Sequence, residues 1–515
     1  MTNKIALLFI NDFADQGAER FYLFSENHMA EVTADDVVAQ EKELICHDYW
    51  LIASALYNKT SQLPKLVTDV EELRILTSGN REDRENRDKI DICSVLLSLG
   101  YVTEEIIGRY RNILFKNAAF DAATFVLVGA ALIRLSDDIE TKAKAENEWE
   151  RYSTLERPVC DYLIRSVAKG IPIDTEALRL HKRNIEHSYY MALKEFSAKY
   201  VLPLEVPSDD DVIDYLSPKG FDFSGVGIEY VLNFVPMSDA FSDRLLELRK
   251  IAASRMVMNA IPLSQERIFP IVDPFGSVTS RIYYKDPSLQ NLSKRHRNII
   301  SKDEGMALSY VDFGQFEAGI MGALSDDQFM LELFTSGDVY TLVAERLFSD
   351  ISKRKVAKRL FLSYAYGMKK KSLIQAAVES GAQRETAKFF FNQFSRFEQW
   401  KSEVWSEFHS KGRIGTDFGN FLSRRGSDGL TEKEKRSAVS QVVQGTASLI
   451  FKKALLKLSY LTHIELKIPM HDAVLFQHPA DFNPQVVADL FAKVMTDHFG
   501  GKIQGKASVA DFFLD

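Results

Sequence analysis

Two stretches of the 515-residue chain place an aspartate where a strand-like run gives way to a turn. In LSYVDFGQFEAGIMGALSDD, residues 308–327, a strand ends at Asp312, Gly314 permits a turn, and residues 315–324 read as a helix. In IPMHDAVLFQ, residues 468–477, His471 and Asp472 sit between two short strands of a hairpin. Either aspartate alone reads as an ordinary helix-cap or turn residue. They share a chemistry only if the fold brings them into one cleft. Two carboxylates a few ångströms apart repel unless cations bridge them, and hard oxygen ligands suit Mg²⁺. Two such ions activate a hydroxyl nucleophile and stabilise a leaving phosphate oxygen.

A third stretch, SKRKVAKRLFLSYAYGM, residues 352–368, spaces Arg354, Lys358, Leu362 and Tyr366 by four. At about 100° per residue each step advances about 40°, so the four form one slowly turning stripe of a helix. Its basic end suits a triphosphate and its Tyr end a stacked base. Gly367 then serves as a helix-end residue. Alone, the stripe reads equally as a solvated basic face with a buried Tyr. A fourth stretch, GSVTSRIYYKDPSLQNLSKRHR, residues 276–297, combines Arg281, Lys294, Arg295 and Arg297 with Tyr283, Tyr284, Gln290 and Asn291. Basic groups interleaved with aromatics suit a phosphate backbone and base edges; alone, the stretch is a polar surface loop. A fifth, RSAVSQVVQGTASLIFKKAL, residues 436–455, is a helix with Ser440 and Gln444 on one face. Gln can bond minor-groove acceptors, which are similar for every correct base pair; alone, this is a core helix with an incidental polar stripe.

These segments need a large scaffold, and 515 residues are too many for one core; roughly two to four sub-domains are expected. Residues 1–150 mix short strand-like runs at 5–10 and 21–24 with apolar helical stretches at 92–99 and 122–135. The run GNREDRENRDK, residues 79–89, reads as a solvated charged loop. Residues 143–258 are mostly helical, interrupted by turn-rich pieces at 203–207 and 218–227. Strands are expected at 268–271, 306–311, 464–470 and 474–477, with helix through much of 338–408 and over 432–461. Hydrophobic residues at 46% and charged residues at 26% give the balance of a soluble globular protein. A net charge of −8 means that any nucleic-acid surface must be a local basic groove. Cys46, Cys93 and Cys160 fit neither a zinc site nor a disulfide framework, which points to a reduced compartment. No cleavable signal is visible, and the longest apolar stretch, 122–132, is about half a bilayer span. A cytoplasmic protein without membrane contact is expected.

Taken in order, the five stretches resemble family A DNA polymerases, the group of bacterial DNA polymerase I and many phage replicases. The family's Asp-Tyr-Ser-Gln-x-Glu motif appears as Asp312-Phe313-Gly314-Gln315-Phe316-Glu317, and its His-Asp-Glu as His471-Asp472-Ala473. Its Arg-x₃-Lys-x₃-aromatic-x₃-Tyr-Gly helix appears as Arg354, Lys358, Leu362, Tyr366 and Gly367. Its Thr-x-Arg and Asp-Pro-Asn-Leu-Gln-Asn elements appear as Thr279-Ser280-Arg281 and DPSLQN at 286–291, and its Gln-Gly-Thr-Ala is intact at 444–447. The likeness covers roughly residues 155–515.

The resemblance implies an α/β (α+β) right-hand fold: thumb at 151–265, palm at 266–335 and 436–515, fingers at 336–435, and an N-terminal exonuclease-like α/β domain at 1–150. It implies extension of a primer 3′ end with dNTPs on a DNA template by two-metal nucleotidyl transfer. Asp312 and Asp472 would bind two Mg²⁺ ions, with Mn²⁺ an admissible substitute. Arg354 and Lys358 would hold the triphosphate, with Lys358 a candidate acid for pyrophosphate. Tyr366 would pack at the nascent base pair, and Glu317 would reject a ribose 2′-hydroxyl. Gln315, Tyr340 and Leu362 would complete the nucleotide site. Arg281, Gln290, Asn291, Arg436, Ser440, Gln444 and His471 would contact DNA. A monomer is expected, with further replication partners left open.

Four positions depart from the family pattern. Leu362 replaces an aromatic, Ala473 replaces the Glu after the metal-binding Asp, Tyr340 stands where a His is common, and Pro469 stands where a Gln often precedes His-Asp. Tyr340 can still donate one hydrogen bond, but not as a cation. In the N-terminal region, residues 9–15 carry no Asp-x-Glu, and His47-Asp48 and Phe120-Asp121 only loosely match later exonuclease segments. Too few carboxylates are counted there for a two-metal nuclease, so a vestigial domain without proofreading is expected. No 5′-nuclease region is expected ahead of it, and the short chain and stripped N-terminus point to a phage or similar element. The rivals are a single-subunit RNA polymerase, opposed by Glu317 and the 444–447 segment; a non-catalytic DNA-binding protein, opposed by the Asp and Arg/Lys pairs; and a nuclease.

Overall fold

The structure, a computed structural model, describes residues 3–11, 19–25, 28–221, 228, 231–232, 240–424 and 426–513. The expectations for residues 12–15 and 222–227 fall outside them.

The first 150 residues build a five-stranded sheet from β1 (Lys4–Ile10), β2 (Arg20–Ser25), β3 (His28–Val32), β4 (Glu43–Cys46) and β5 (Val67–Asp69), in the order β3-β2-β1-β4-β5. β1 is antiparallel to β2 and parallel to β4, with Ala6 opposite Ile45. Its residues from Ile5 to Ile10 are all buried, as a strand covered on both faces requires. Successive side chains point to opposite faces. Leu8 and Ile10 join Phe125 and Leu132 of the helix α3 (Ala122–Ala145) and Tyr110 of α2 (Glu104–Leu114). Ile5, Leu7 and Phe9 join Tyr49, Ile52 and Leu56 of α1 (Tyr49–Thr60).

Helix α4 (Arg157–Ala168) leads to an antiparallel pair, α5 (Thr175–Tyr200) and α6 (Phe241–Ala260). At 1.5 Å per residue the 26-residue α5 is about 39 Å long. Leu193, Phe196 and Tyr200 of α5 pack with Phe241, Leu245 and Leu248 of α6 in a small core of their own.

The main core surrounds a four-stranded antiparallel sheet of β6 (Met306–Phe313), β9 (Glu465–Pro469), β10 (Ala473–Pro479) and β11 (Ala507–Ala510), in the order β9-β10-β6-β11. Two further strands, β7 (Arg413–Thr416) and β8 (Gly419–Ser423), form a separate hairpin. Helices α7 (Phe316–Ser325), α11 (Glu432–Leu458) and α12 (Gln485–His498) share one core with the sheet through Phe313, Phe316, Ile450 and Phe491. α11 opens with a capping box: Thr431 Oγ1 accepts from Glu434 N at 3.2 Å, and the Glu434 carboxylate accepts from Thr431 N at 2.8 Å. Helices α8 (Val339–Phe348), α9 (Arg354–Ala365) and α10 (Ser395–Lys411) add Val343, Phe361 and Phe397 to the same core.

Two expectations are corrected. The strand placed at 268–271 is two pieces: Ile268 pairs with Ile171, whereas Val272 pairs with Tyr284. Pro270 stands between them and has no N–H to continue a ladder. Residues 79–89 are not a solvated loop. Asn80 caps a short helix, Arg81–Glu85, and Arg84 is 3% exposed, donating to Val278 O at 3.2 Å and Asn420 Oδ1 at 3.1 Å. Arg87 pairs with Asp273. These arginines are consumed by polar groups of the later chain that the local sequence does not display.

The N-terminal region and the main core are joined by a buried ion network. Arg151 Nε donates to Glu148 Oε2 at 3.0 Å and Arg151 Nη1 pairs with Glu156, across a π-helical turn at Tyr152–Glu156. Lys452 of α11 reaches Glu156 Oε2 at 2.6 Å and Pro274 O at 3.1 Å. The Glu148 carboxylate also accepts the backbone N–H groups of Asn420 (3.0 Å) and Phe421 (2.9 Å) in β8.

Candidate active site

β6 lies inside its sheet, so its C-terminal end is fixed on both sides. Asp312 stands opposite Ala473, and the Phe313 N–H donates to the Asp472 carbonyl at 3.1 Å. The two aspartates therefore sit at the same end of adjacent strands. Burial, and then the charge of Asp472, hold the Asp312 carboxyl well above the usual carboxylate range; Lys358 and Lys294 act against this. Burial likewise raises Asp472, with Lys358 and Arg281 opposing. Asp312 Oδ1 is buried and has no hydrogen-bond partner among the described residues.

A bare buried carboxylate oxygen beside a second carboxylate is a poor arrangement for a fold and a good one for a cation. The pair fits Mg²⁺, which takes one or two carboxylates and fills its octahedron with water and substrate phosphate oxygens. Among the described residues no group of three or more His, Cys, Asp or Glu is placed to hold a metal, so the protein would supply only these two side chains.

Facing this end of the sheet is α9. Arg354 and Lys358 are exposed, and Leu362 and Tyr366 half-buried, whereas Ala357, Leu360, Phe361, Tyr364 and Ala365 are buried. The expected stripe is thus the open face of the helix. Gly367 follows at φ 96°, a conformation in which a Cβ is strained, and ends the helix. Tyr340 is buried under the basic end, with the Arg354 guanidinium 5.5 Å and the Lys358 ammonium 5.3 Å from its ring centroid. Gln315, at φ 55°, begins α7 and reaches α8, where its Oε1 accepts from Val339 N at 2.9 Å.

Several further expected residues meet at one edge. Arg281 Nη2 pairs with Glu317 Oε1 at 2.7 Å. The Tyr366 hydroxyl faces Glu317 and Gln444, and burial pushes its pKa up. On α11, Arg436 is exposed and Ser440 and Gln444 are half-buried, in a helix otherwise mostly buried from Ala438 to Leu455. His471 is exposed, edge-on to Tyr283 at 5.7 Å. Asn291 is exposed, donating to Ser288 Oγ at 2.9 Å.

Gln290 departs from the expectation. It is 7% exposed; its Oε1 accepts from Tyr284 N at 2.8 Å, and its Nε2 donates to Ile282 O at 2.9 Å and to Pro469 O. Its amide pins the 276–297 loop to the end of β9 and is not free for DNA.

The sequence reading missed Asp338. This residue caps α8, binds Arg354 through two bonds and stands two positions before Tyr340. It also undercounted the N-terminal acids: Asp48, Asp69, Glu71 and Glu72 gather with His47 around one cavity at the ends of β4 and β5, and burial raises Asp69, Glu71 and Glu72. They lie on separate turns after two strands, and only the parallel pairing of β4 with β5 unites them.

Comparison with known proteins gives the family and the fold. The family model for DNA polymerase family A matches residues 229–509, more than half of the chain, and the chain belongs to that family. The DNA polymerase I of Aquifex aeolicus is 27% identical over 332 residues, covering 57% of this chain and 54% of that protein. The DNA polymerase I of Helicobacter pylori is 21% identical over 465 residues, 85% of this chain and 51% of that protein. The chain spans about half the length of these curated relatives. The POL domain of Pol1 from M. smegmatis, solved with DNA primer-template and dNTP, superposes with a TM-score of 0.74 at 18% identity, covering 98% of this chain and 94% of that one. The mixed α/β fold is therefore that of a family A polymerase domain over nearly the whole length. Among the described residues no helix is long and apolar enough to cross a membrane.

Proposed function

We propose that the protein is a DNA-directed DNA polymerase that extends a primer with dNTPs at Asp312 and Asp472. The observation that carries this is the unpartnered Asp312 oxygen beside Asp472, with the open basic stripe of α9 across the cleft. Bound Mg²⁺ would lower the pKa of the primer 3′-hydroxyl and neutralise charge on the leaving phosphate oxygen. Arg354 and Lys358 hold the triphosphate, and the Lys358 ammonium, whose charge already acts on both aspartates, can protonate the departing pyrophosphate. Glu317, braced by Arg281, occupies the place where a 2′-hydroxyl would be rejected. Tyr366 supports the nascent pair, and Arg281, Gln444 and His471 line the primer side, with Arg436 and Ser440 facing template. In this reading residues 151–265 form the thumb, 266–335 with 436–515 the palm, and 336–435 the fingers, acting as a monomer. Primer extension with Mg²⁺, comparing dNTPs with rNTPs, tests it; preferential use of rNTPs would favour an RNA polymerase instead.

Leu362 is half-buried on the open face of α9 and is packed against the main core. Leu362→Phe is expected to change the ratio of dideoxynucleotide to deoxynucleotide incorporation by about tenfold or more, measured by competitive termination; one extra pocket contact is worth roughly 1–3 kcal/mol. An unchanged ratio would remove position 362 from sugar handling.

We further propose that the N-terminal sheet lacks proofreading activity. In support, the sequence that follows β1 carries no Asp-x-Glu, so the acids that gather at the ends of β4 and β5 lack that pair from the first strand. Metal-dependent digestion of single-stranded DNA by the purified protein, unaffected by Asp312→Ala, would overturn this.

A further inference from the structure

The guanidinium that would receive the triphosphate already holds a carboxylate. Arg354 Nε donates to Asp338 Oδ1 at 2.9 Å and Nη2 to Asp338 Oδ2 at 2.7 Å, a two-bond fork of the kind Arg makes with carboxylate and phosphate alike. Asp338 is fixed from three other directions. Gln315 Nε2 donates to its Oδ2 at 3.1 Å, and Thr341 donates to its Oδ1 through N at 2.7 Å and Oγ1 at 2.8 Å. Gln315 is itself anchored on Val339 N, so the acceptor cannot swing away with the arginine. Arg354 is the more exposed and less tethered partner: its side chain is 46% exposed, against 30% for Asp338, and it stands at the first turn of α9. The Tyr340 ring underlies both Arg354 and Lys358 and limits where their charges can go.

We infer that Asp338 is a built-in stand-in for phosphate, which occupies one edge of the Arg354 fork in the nucleotide-free enzyme and must yield that edge when a triphosphate binds. The inference rests on the polymerase reading of α9 and adds a positioning residue to it. Its physical content is a sign. A carboxylate that merely oriented Arg354 would help anion binding. One that competes for the same donors, and repels the incoming charge, hinders it.

Asp338→Asn removes the charge and keeps a good helix cap, and Asp338→Ser does the same with a shorter side chain. Inorganic tripolyphosphate is the probe, because it carries the phosphates without base or sugar. Calorimetric titration into the full-length protein is expected to give a dissociation constant about threefold lower or more in D338N than in wild type, the scale of an exposed ion pair. KM for dNTP should fall by the same factor. In an R354A background the D338N effect should vanish. Equal or weaker tripolyphosphate binding by both D338N and D338S, with binding clearly weakened in R354A, overturns the inference while leaving the polymerase reading in place. Unchanged tripolyphosphate binding in R354A overturns the phosphate role of Arg354 and the inference together.

Discussion

Asp312→Ala and Asp472→Ala are each expected to reduce primer extension by roughly 10³-fold or more, the scale seen when a member of a catalytic unit is removed. Primer-template affinity, measured by fluorescence anisotropy, should stay close to wild type, because the expected DNA contacts lie on α11, the 276–297 loop and His471. Chelation of divalent ions should reproduce the loss in the unmodified protein. Folding should not suffer. Both carboxyls are held above their ordinary range by burial, so in the metal-free protein the ionised forms disfavour the fold. Removing one of them is expected to leave the unfolding midpoint unchanged or raise it. Extension near the wild-type rate by either variant would refute the assignment.

The second large effect concerns stability. Arg151 is 2% exposed and bonds Glu148 and Glu156, which are themselves 1% and 2% exposed. Arg151→Met is expected to cost about 3–5 kcal/mol, because it leaves buried acids short of a counter-charge. Lys452 still neutralises Glu156, whereas among the described residues Glu148 keeps the backbone donors of Asn420 and Phe421 and the more distant charge of Arg84. Chemical denaturation followed by circular dichroism measures this. A change under about 1 kcal/mol would mean that water reaches the network. The double variant Arg151→Met/Glu148→Gln should recover part of the loss, since it removes the orphaned charge as well.

How much of this was legible in the sequence depended on whether a residue's role was local. The stripe on α9 was readable because helical geometry alone puts Arg354, Lys358, Leu362 and Tyr366 on one face, and that face is the open one. The strand-end positions of Asp312 and Asp472 were readable from alternation and turn residues, but their juxtaposition was not. It comes from the pairing of β6 with β10, and only the order of the motifs implied it. Gln290 was misread because a polar side chain in a polar loop gives no local sign that three backbone groups, one of them at Pro469, consume its amide. Arg84 and Arg87 were misread for the same reason. Asp338 was overlooked because it has an ordinary local role, capping α8, that hides its distant one. The acids behind β4 and β5 were undercounted because a parallel pairing, invisible in the sequence, assembles them.

The Glu148–Arg151–Glu156–Lys452 network also bears on modularity. A five-stranded sheet at one end of the chain invites treatment as a detachable cassette. Here the seam does not run where the sheet ends. Glu148, just past the last helix packed on the sheet, terminates two N–H groups of the β7–β8 hairpin, and Glu156 neutralises a lysine in the middle of α11. A cut at the visible domain edge would therefore open the main core's own interior to water. Whatever the sheet itself does, the main core uses the residues that follow it as part of its wall, and the junction is indispensable as masonry.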